Sequence, residues 1–338
     1  MTRPANPRIQ DVARRAGVAT GTVSNVLNNP HKVAESTRVR VEQAIDELGF
    51  VRNNAARTLV SGRSDTVGMV VIDLGNSLFV DIARGAEAAA AAAGFHLWIA
   101  NADLDHPKQE TYVGRFEEAR VAGVILAPVD GPLDALRAAR RRRLPAILVN
   151  APDSHPDLCC VMVDEEQGGF LAAQHVLDQG ARRLVYLAAH LGLSAIARRR
   201  RGIERAVAAA GADLEIVRAK DLSIVSGQES GRRILSESAV DAVICPSDPL
   251  AIGVIQAAAG LGLSVPDDLL VIGYDDNHFA AESRVPVSTV SQPGREMGRT
   301  AMGLLLEELR DPDHVHRTVV TQPELIIRQS TARGDLRR

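Results

Sequence analysis

The stretch IQDVARRAGVATGTVSNVLNN, residues 9–29, decides how the rest of the chain is read. Ile9, Val12, Ala13 and Ala16 recur at helical spacing, and Val23, Val26 and Leu27 do so again beyond Gly17 and Val18. The interval from Ala16 to Ala19 leaves room only for a tight turn, so the pattern predicts two helices joined as a helix-turn-helix. Further on, Val41, Ala44, Ile45 and Leu48 form the apolar stripe of a third helix that stops at Gly49, a residue that accepts positive φ at a helix end. Three amphipathic helices of this kind close one small core.

Charge divides the chain in the same place. Of 338 residues with a net charge of −3, residues 1–63 carry nine Arg and one Lys against five acids, which is +5, and the remainder carries −8. A small basic head on a large acidic body suits contact with a polyanion, although a solvated basic surface accounts for the same numbers. There is no apolar run long enough for a membrane span and no apolar core at the N-terminus, so a cytoplasmic protein without membrane contact is expected. The three cysteines, adjacent Cys159 and Cys160 plus Cys245, offer neither a disulfide framework nor a CxxC knuckle, and Cys245 reads as a small buried hydrophobe. Histidines show no HxxxH spacing, and Asp275 with Asp276 is no metal cage, so neither metal nor cofactor is expected. GxSxG, GxxxxGK[ST] and HExxH are all missing, which argues against an enzyme.

From Thr66 onward short buried β-rich runs alternate with Ala-rich helices. Strands are predicted at 67–72, 95–100, 123–128, 145–150, 183–188, 241–247 and 268–276, with a helix through Ala83–Ala93. Alternation of this kind builds parallel βαβ sheets, and the strands are too many for one sheet of ordinary size. Two similar doubly wound lobes are therefore expected, with a ligand cleft at the carboxyl ends of their strands. The arginine runs 140–143 and 198–201 read as solvated helix faces.

The second helix of the head starts near Thr20 and can lay its first residues against base edges. Thr20, Gly21 and Asn25 are the base-reading candidates: Asn25 can pair bidentately with adenine, Thr20 offers a hydroxyl or methyl, and Gly21 allows close backbone approach. The hydroxyls of Thr22 and Ser24, with Asn28 at the helix end, suit phosphate contacts.

Taken with TRVRVEQAIDELGF and NNAARTLVSGRSDTVGMVV, residues 9–29 make the chain resemble the lactose-repressor (LacI/GalR) family of bacterial transcription regulators. The likeness continues through DEEQGGFLAAQHVLDQGARR, SDPLAIGVIQAAAGLGLSVPDDLLVIGYDD, STVSQP and PELIIRQST, and so spans nearly the whole chain. The fold it implies is α/β: a three-helix helix-turn-helix DNA-binding domain at 1–52, a hinge helix and linker at 53–63, and a two-lobed periplasmic-binding-protein-like effector and dimerisation domain at 64–338. It further implies that Asn53, Ala56 and Leu59 enter the minor groove, with Leu59 wedged at the centre of the operator. The chain departs from the family pattern at Arg8, Ala19 and Ala34, where Ser or Thr commonly cap helices, at Asn25, where Arg is commoner, and at Arg52, where proline is usual.

In the cleft the resemblance points to Arg199 and Asp275, a guanidinium and a carboxylate suited to holding the hydroxyls of a polyol. Asn150 and Ser247 stand where members often have Asp and Asn, and Phe79, Asp248, Tyr274 and Gln292 are further pocket candidates. Purine-binding members stack the base on aromatics at positions occupied here by Leu78 and Leu222, which favours a carbohydrate effector. The expected protein is a repressor of a pseudo-palindromic double-stranded operator, released by its effector. No leucine heptads follow the last lobe segment, so a homodimer is expected.

Overall fold

Three helices build the N-terminal unit: α1 (Ile9–Ala16), α2 (Thr20–Asn28) and α3 (Glu35–Leu48), with a short 3-10 turn at Pro30–Lys32 between the last two. Gly17 and Gly49 end α1 and α3 in the left-handed region, at φ 64° and 60°, where a side chain would be strained. Val12, Ala13, Ala16, Val23, Val26, Val41 and Ala44 form the buried core, edged by Ile9, Val18, Leu27, Ile45, Leu48 and Phe50. Arg8, Ala19 and Ala34 supply no side-chain cap. At α1 the Asp11 carboxylate compensates by accepting the Arg8 backbone N–H at 2.9 Å, a helix-end contact that Ser/Thr spacing alone does not anticipate.

In this computed structural model residues 7–51, 64–151, 156–189, 193–311 and 313–332 are described. The chain divides into two compact units, Met1–Arg63 and Ser64–Arg338.

The second unit holds two lobes. The first is a six-stranded parallel sheet in the order β11-β5-β4-β3-β1-β2. Its strands are β1 (Thr66–Val71), β2 (His96–Asn101), β3 (Gly123–Leu126), β4 (Ala146–Val149), β5 (Cys159–Val163) and β11 (Thr318–Thr321). Helices α4 (Ser77–Ala92) and α11 (Gly294–Arg310) cover one face, and α5 (His106–Glu118) and α6 (Asp134–Arg141) the other. The second lobe is a four-stranded parallel sheet, β7-β6-β8-β9, made of β6 (Arg183–Ala188), β7 (Asp213–Arg218), β8 (Ala242–Ile244) and β9 (Leu270–Ile272). It carries α7 (Glu165–Asp178) and α8 (Ser194–Ala210) on one face and α9 (Ile224–Glu237) and α10 (Asp248–Gly260) on the other. A two-stranded antiparallel ribbon, β10 (Thr289–Ser291) and β12 (Glu324–Ile326), completes it. The chain crosses between lobes at 163–165, 291–294 and 321–324.

Central strands are buried on both faces, which is why β1, β3 and β4 read as unbroken apolar runs. The expected strands at 241–247 and 268–276 shorten to three residues each, because the chain leaves the sheet to form the cleft wall. Apolar patterning does not anticipate β7: Asp213–Arg218 is an edge strand whose exposed charges dilute its signal. Nor does it anticipate β10, β11 and β12, which are short, and β11 pairs in the register Thr318 to Cys160 with β5, an apolar run outside the expected strands.

Glycines set how closely the helices approach. A Cβ on Gly169 of α7 would lie 1.9 Å from the Arg199 carbonyl of α8, and one on Gly202 of α8 would lie 1.9 Å from the Glu166 carbonyl of α7. The same reciprocal pairing joins Gly85 of α4 with Gly298 of α11, and Gly227 of α9 with Gly253 of α10. Each pair brings two helix backbones into contact where any larger residue would hold them apart.

Candidate functional site

On α2, Val23 and Val26 face the core of the N-terminal unit, so Gly21, Asn25 and Asn28 recur on the opposite, exposed side as one stripe, with Thr20 exposed beside it. Thr22 and Ser24 flank the stripe and are half-buried, and Asn28 Nδ2 donates to Ser24 Oγ at 3.2 Å. α2 carries no charged residue, so its exposed face offers amides, hydroxyls and a bare backbone. Asn53, Ala56 and Leu59, together with Arg52, lie outside the described residues.

Between the two lobes is a cleft enclosing about 800 Å³ of unfilled space, its open mouth included, at the carboxyl ends of both parallel sheets. Asn76, Leu78, Phe79 and Asn150 line it from the first lobe, and Arg199, Leu222, Ser247, Asp275 and Asn277 from the second.

The buried anchor is Arg199. Close packing of α7 on α8 through their glycines sets Glu165 against it: Arg199 Nε and Nη2 donate to the two Glu165 carboxylate oxygens at 2.6 and 3.0 Å. Nη1 donates to the Pro246 carbonyl at 2.7 Å, Nη2 also reaches Asp275 Oδ1 at 3.3 Å, and the guanidinium stacks 3.6 Å above the Tyr274 ring. Burial opposes the charge on Arg199, but Glu165 and then Asp275 outweigh it and hold the group protonated well above its usual range. Four of its five N–H donors are engaged by these described residues, and one on Nη1 remains.

Asp275 follows β9 at φ 88°, a left-handed conformation that Asp tolerates better than most residues. Its Oδ1 also accepts from Gln292 Nε2 at 2.7 Å, and its Oδ2 accepts from Asn76 Nδ2 of the opposite lobe at 2.7 Å. Neighbouring Asp276 is tied away to Arg328 at 2.7 Å. Asn277 Oδ1 accepts from both the backbone N–H and the hydroxyl of Ser77, at 2.9 and 3.0 Å, making a second bridge between lobes. Asp248 is fully buried beneath the cleft, accepting the Asn277 N–H at 2.6 Å; burial pushes its carboxyl up to about 8 despite hydrogen bonds from Thr289 and Asn277 that oppose the shift.

Of the sequence-predicted residues, Phe79, Asn150, Arg199, Ser247 and Asp275 line the cleft. Asp248, Tyr274 and Gln292 stand behind it, holding Asn277, Arg199 and Asp275 respectively. Sequence reasoning missed Asn76, Asn277 and Glu165. Glu165 is the second residue of the DEEQGG segment already singled out for its likeness, but its role depends on a helix pairing that only the fold reveals. The arginine run at 140–143 requires a correction: Arg140 is half-buried and paired with Glu308 at 2.6 Å, whereas Arg141 to Arg143 are exposed as expected.

A helix-turn-helix unit joined to a two-lobed cleft domain defines a ligand-responsive DNA-binding regulator. Residues 8–53 match the family model of bacterial regulatory proteins of the lacI family, and residues 173–331 match a periplasmic binding protein-like domain. The HTH-type transcriptional repressor PurR of Photobacterium profundum is 33% identical over 326 residues, covering 95% of this chain and 98% of the relative. Among solved structures, a complex of the transcriptional regulator CelR with cellobiose is 29% identical with a TM-score of 0.71, covering 96% of this chain and 99% of the other. The lac repressor dimer bound to operator and the anti-inducer ONPF is 25% identical with a TM-score of 0.83 over the same shares. The chain belongs to the lacI family. It is a transcriptional repressor with a DNA-binding domain rather than an enzyme.

Proposed function

We propose that this repressor acts as a homodimer on a pseudo-palindromic operator and is released from it by a sugar or sugar derivative bound between the lobes. Thr20, Gly21 and Asn25 read bases, Thr22, Ser24 and Asn28 hold phosphates, and residues 53–63 form the hinge that carries Asn53, Ala56 and Leu59 into the minor groove. The protein works in the cytoplasm, where its operator lies. Among the described residues no helix is long and apolar enough to cross a membrane.

The observation that carries the effector reading is a pair of buried polar atoms in the cleft. Ser247 Oγ and Asn277 Nδ2 belong to residues only 3% and 2% exposed, both line the cavity, and neither has a hydrogen-bond partner among the described residues. A buried polar group without a partner costs about 1–3 kcal/mol, a cost that a hydroxylated ligand relieves. Together with Arg199, whose Nη1 keeps one N–H, these residues line the space a polyol would fill. Leu78 and Leu222 give the cleft aliphatic walls where a planar base would call for rings, and Phe79 is the aromatic among the described lining residues. The CelR structure, solved as a cellobiose complex, supports the same class of ligand. Dimerisation is supported by a groove on the second lobe whose lining mixes Glu282 and Arg284 with Ile224, Ile255, Phe279 and Val285, of which Ile224 and Phe279 are exposed.

The test begins with selection of binding sites from random duplex DNA, which should enrich a pseudo-palindrome bound with a steep salt dependence. Fluorescence anisotropy on that site then screens sugars for release. Ser247→Ala should weaken the active sugar by about tenfold, one hydrogen bond's worth, while its melting temperature holds or rises, because the native hydroxyl pairs with none of the described residues. Release by purines alone, with no response to any sugar, would overturn the effector class.

A further inference from the structure

The first-lobe sheet has a second cluster of chemically capable side chains, at the end opposite the cleft. Cys159 is the first residue of β5, and His314 and His316 lie in the segment that leads from α11 into β11. Because β11 pairs in parallel with β5, the two histidines are carried to the entry of the strand that bears the cysteine. His314 Nε2 stands 3.1 Å and His316 Nδ1 3.8 Å from Cys159 Sγ, and the three potential donor atoms all lie within 4.8 Å of one another. Cys159 is fully buried and the His314 side chain is 7% exposed.

We propose that Cys159, His314 and His316 form a binding site for a single zinc-type transition-metal ion. Thiolate and imidazole donors are what zinc takes, at about 2.3 Å from sulfur and about 2.0–2.1 Å from nitrogen. In a tetrahedral site those bond lengths separate sulfur from nitrogen by about 3.5 Å, between the two distances found here. The surroundings fit as well. The Arg317 backbone N–H donates to Cys159 Sγ at 3.4 Å, holding the sulfur at the entry of β5. Glu307 Oε2 stands 3.7 Å from His314 Nδ1, the far ring nitrogen, too long for a hydrogen bond but on the side from which a carboxylate orients a metal-bound histidine.

His316 adds a specific condition. Arg140 Nη2 lies 3.0 Å from His316 Nε2 and can only donate, so in the metal-free protein the His316 proton sits on Nδ1. Metal binding through Nδ1 moves that proton to Nε2 and breaks the contact with Arg140. The released guanidinium, already bonded to Glu308 Oε1 at 2.6 Å, can then take up Glu308 Oε2, a buried oxygen without a partner among the described residues. Three protein ligands leave the fourth position of a tetrahedron to water. The ion would fasten the approach to β11, the sheet's last strand, onto β5, and it would do so at the end of the sheet where Thr66 begins β1.

The test uses the full-length protein, reduced and freed of metal by a chelator, titrated with Co2+ as a spectroscopic stand-in and then with Zn2+. One equivalent of Co2+ should produce a thiolate-to-cobalt charge-transfer band with the visible bands of a tetrahedral site, and Zn2+ should displace it and raise the melting temperature. Cys159→Ser should abolish the charge-transfer band, and Cys245→Ser, in the other lobe, should retain it. His314→Gln and His316→Gln should each weaken binding by at least about tenfold, which keeps the test decisive if the cysteine variant fails to fold. No saturable equivalent, a band that persists in Cys159→Ser, or affinity unchanged in both histidine variants would overturn the proposal.

Discussion

The two lobes meet at one cleft but bring different chemistry to it. The second lobe supplies the buried charges, Arg199 held between Glu165 and Asp275, with Asp248 beneath. The first lobe supplies amides and apolar walls: Asn76, Asn150, Leu78 and Phe79. Its carboxylate among the described lining residues, Asp73, turns back to accept the Gly75 N–H at 2.8 Å. Charges assembled within one lobe can be neutralised whether the cleft is open or closed, so opening costs the bonds between lobes, among them the 3.0 Å contact of His278 with Asp81 and the bond from the Ser194 N–H to Asp130. The Asn76 to Asp275 and Ser77 to Asn277 bonds join the lobes as well. The second lobe is thus built to hold, and the first to close.

The largest break in that contrast is Arg199→Met. It leaves Glu165 and Asp275 buried without their cation and should cost about 3–5 kcal/mol in chemical denaturation, concentrated in the second lobe. A loss below about 1 kcal/mol would mean that the carboxylates simply take up protons. Next comes Asp248→Asn. With its carboxyl raised to about 8, Asp248 keeps in the folded state a proton that the unfolded chain gives up near pH 4, so its contribution favours folding at low pH and is progressively lost as pH rises from about 4 to about 8. The asparagine should flatten that slope and raise stability at pH 8 by on the order of 2–4 kcal/mol, read from melts across the pH series. The smallest of the three effects sharpens the comparison from the first lobe. Asn76→Asp keeps the cap on the Leu78 N–H but sets a second carboxylate against Asp275 Oδ2, and should disfavour closure by about 1.5–3 kcal/mol. Small-angle scattering should report a more open second unit, with the thermal stability of each lobe little changed.

What the sequence makes legible divides along similar lines. The helices of the N-terminal unit and the central strands are legible because each is specified by its own apolar periodicity, as in Val23 and Val26 or the run at β1. Asp275 is legible through its family-like segment, and Arg199 through the resemblance of the whole chain. What escapes is whatever depends on two distant segments meeting. Glu165 acquires its role from the pairing of α7 with α8, Asn76 from a bond across 199 positions, and Cys159 its histidine neighbours from the pairing of β5 with β11. Histidines searched for at HxxxH spacing look scattered because His314 and His316 are two apart and their third partner lies some 155 residues earlier.

The reciprocal glycines in three helix pairs bear on how such a molecule moves. Each pair welds neighbouring helices backbone to backbone, α4 to α11 within the first lobe and α7 to α8 and α9 to α10 within the second. Helices locked so closely have no side-chain layer over which to slide, so neither lobe has an easy internal shear. Any change in cleft width must then be absorbed where the chain passes between lobes, at 163–165, 291–294 and 321–324. The molecule behaves as two stiff plates on three short straps, and a small displacement of a ligand at the strap end becomes a larger arc at the far rim of each plate.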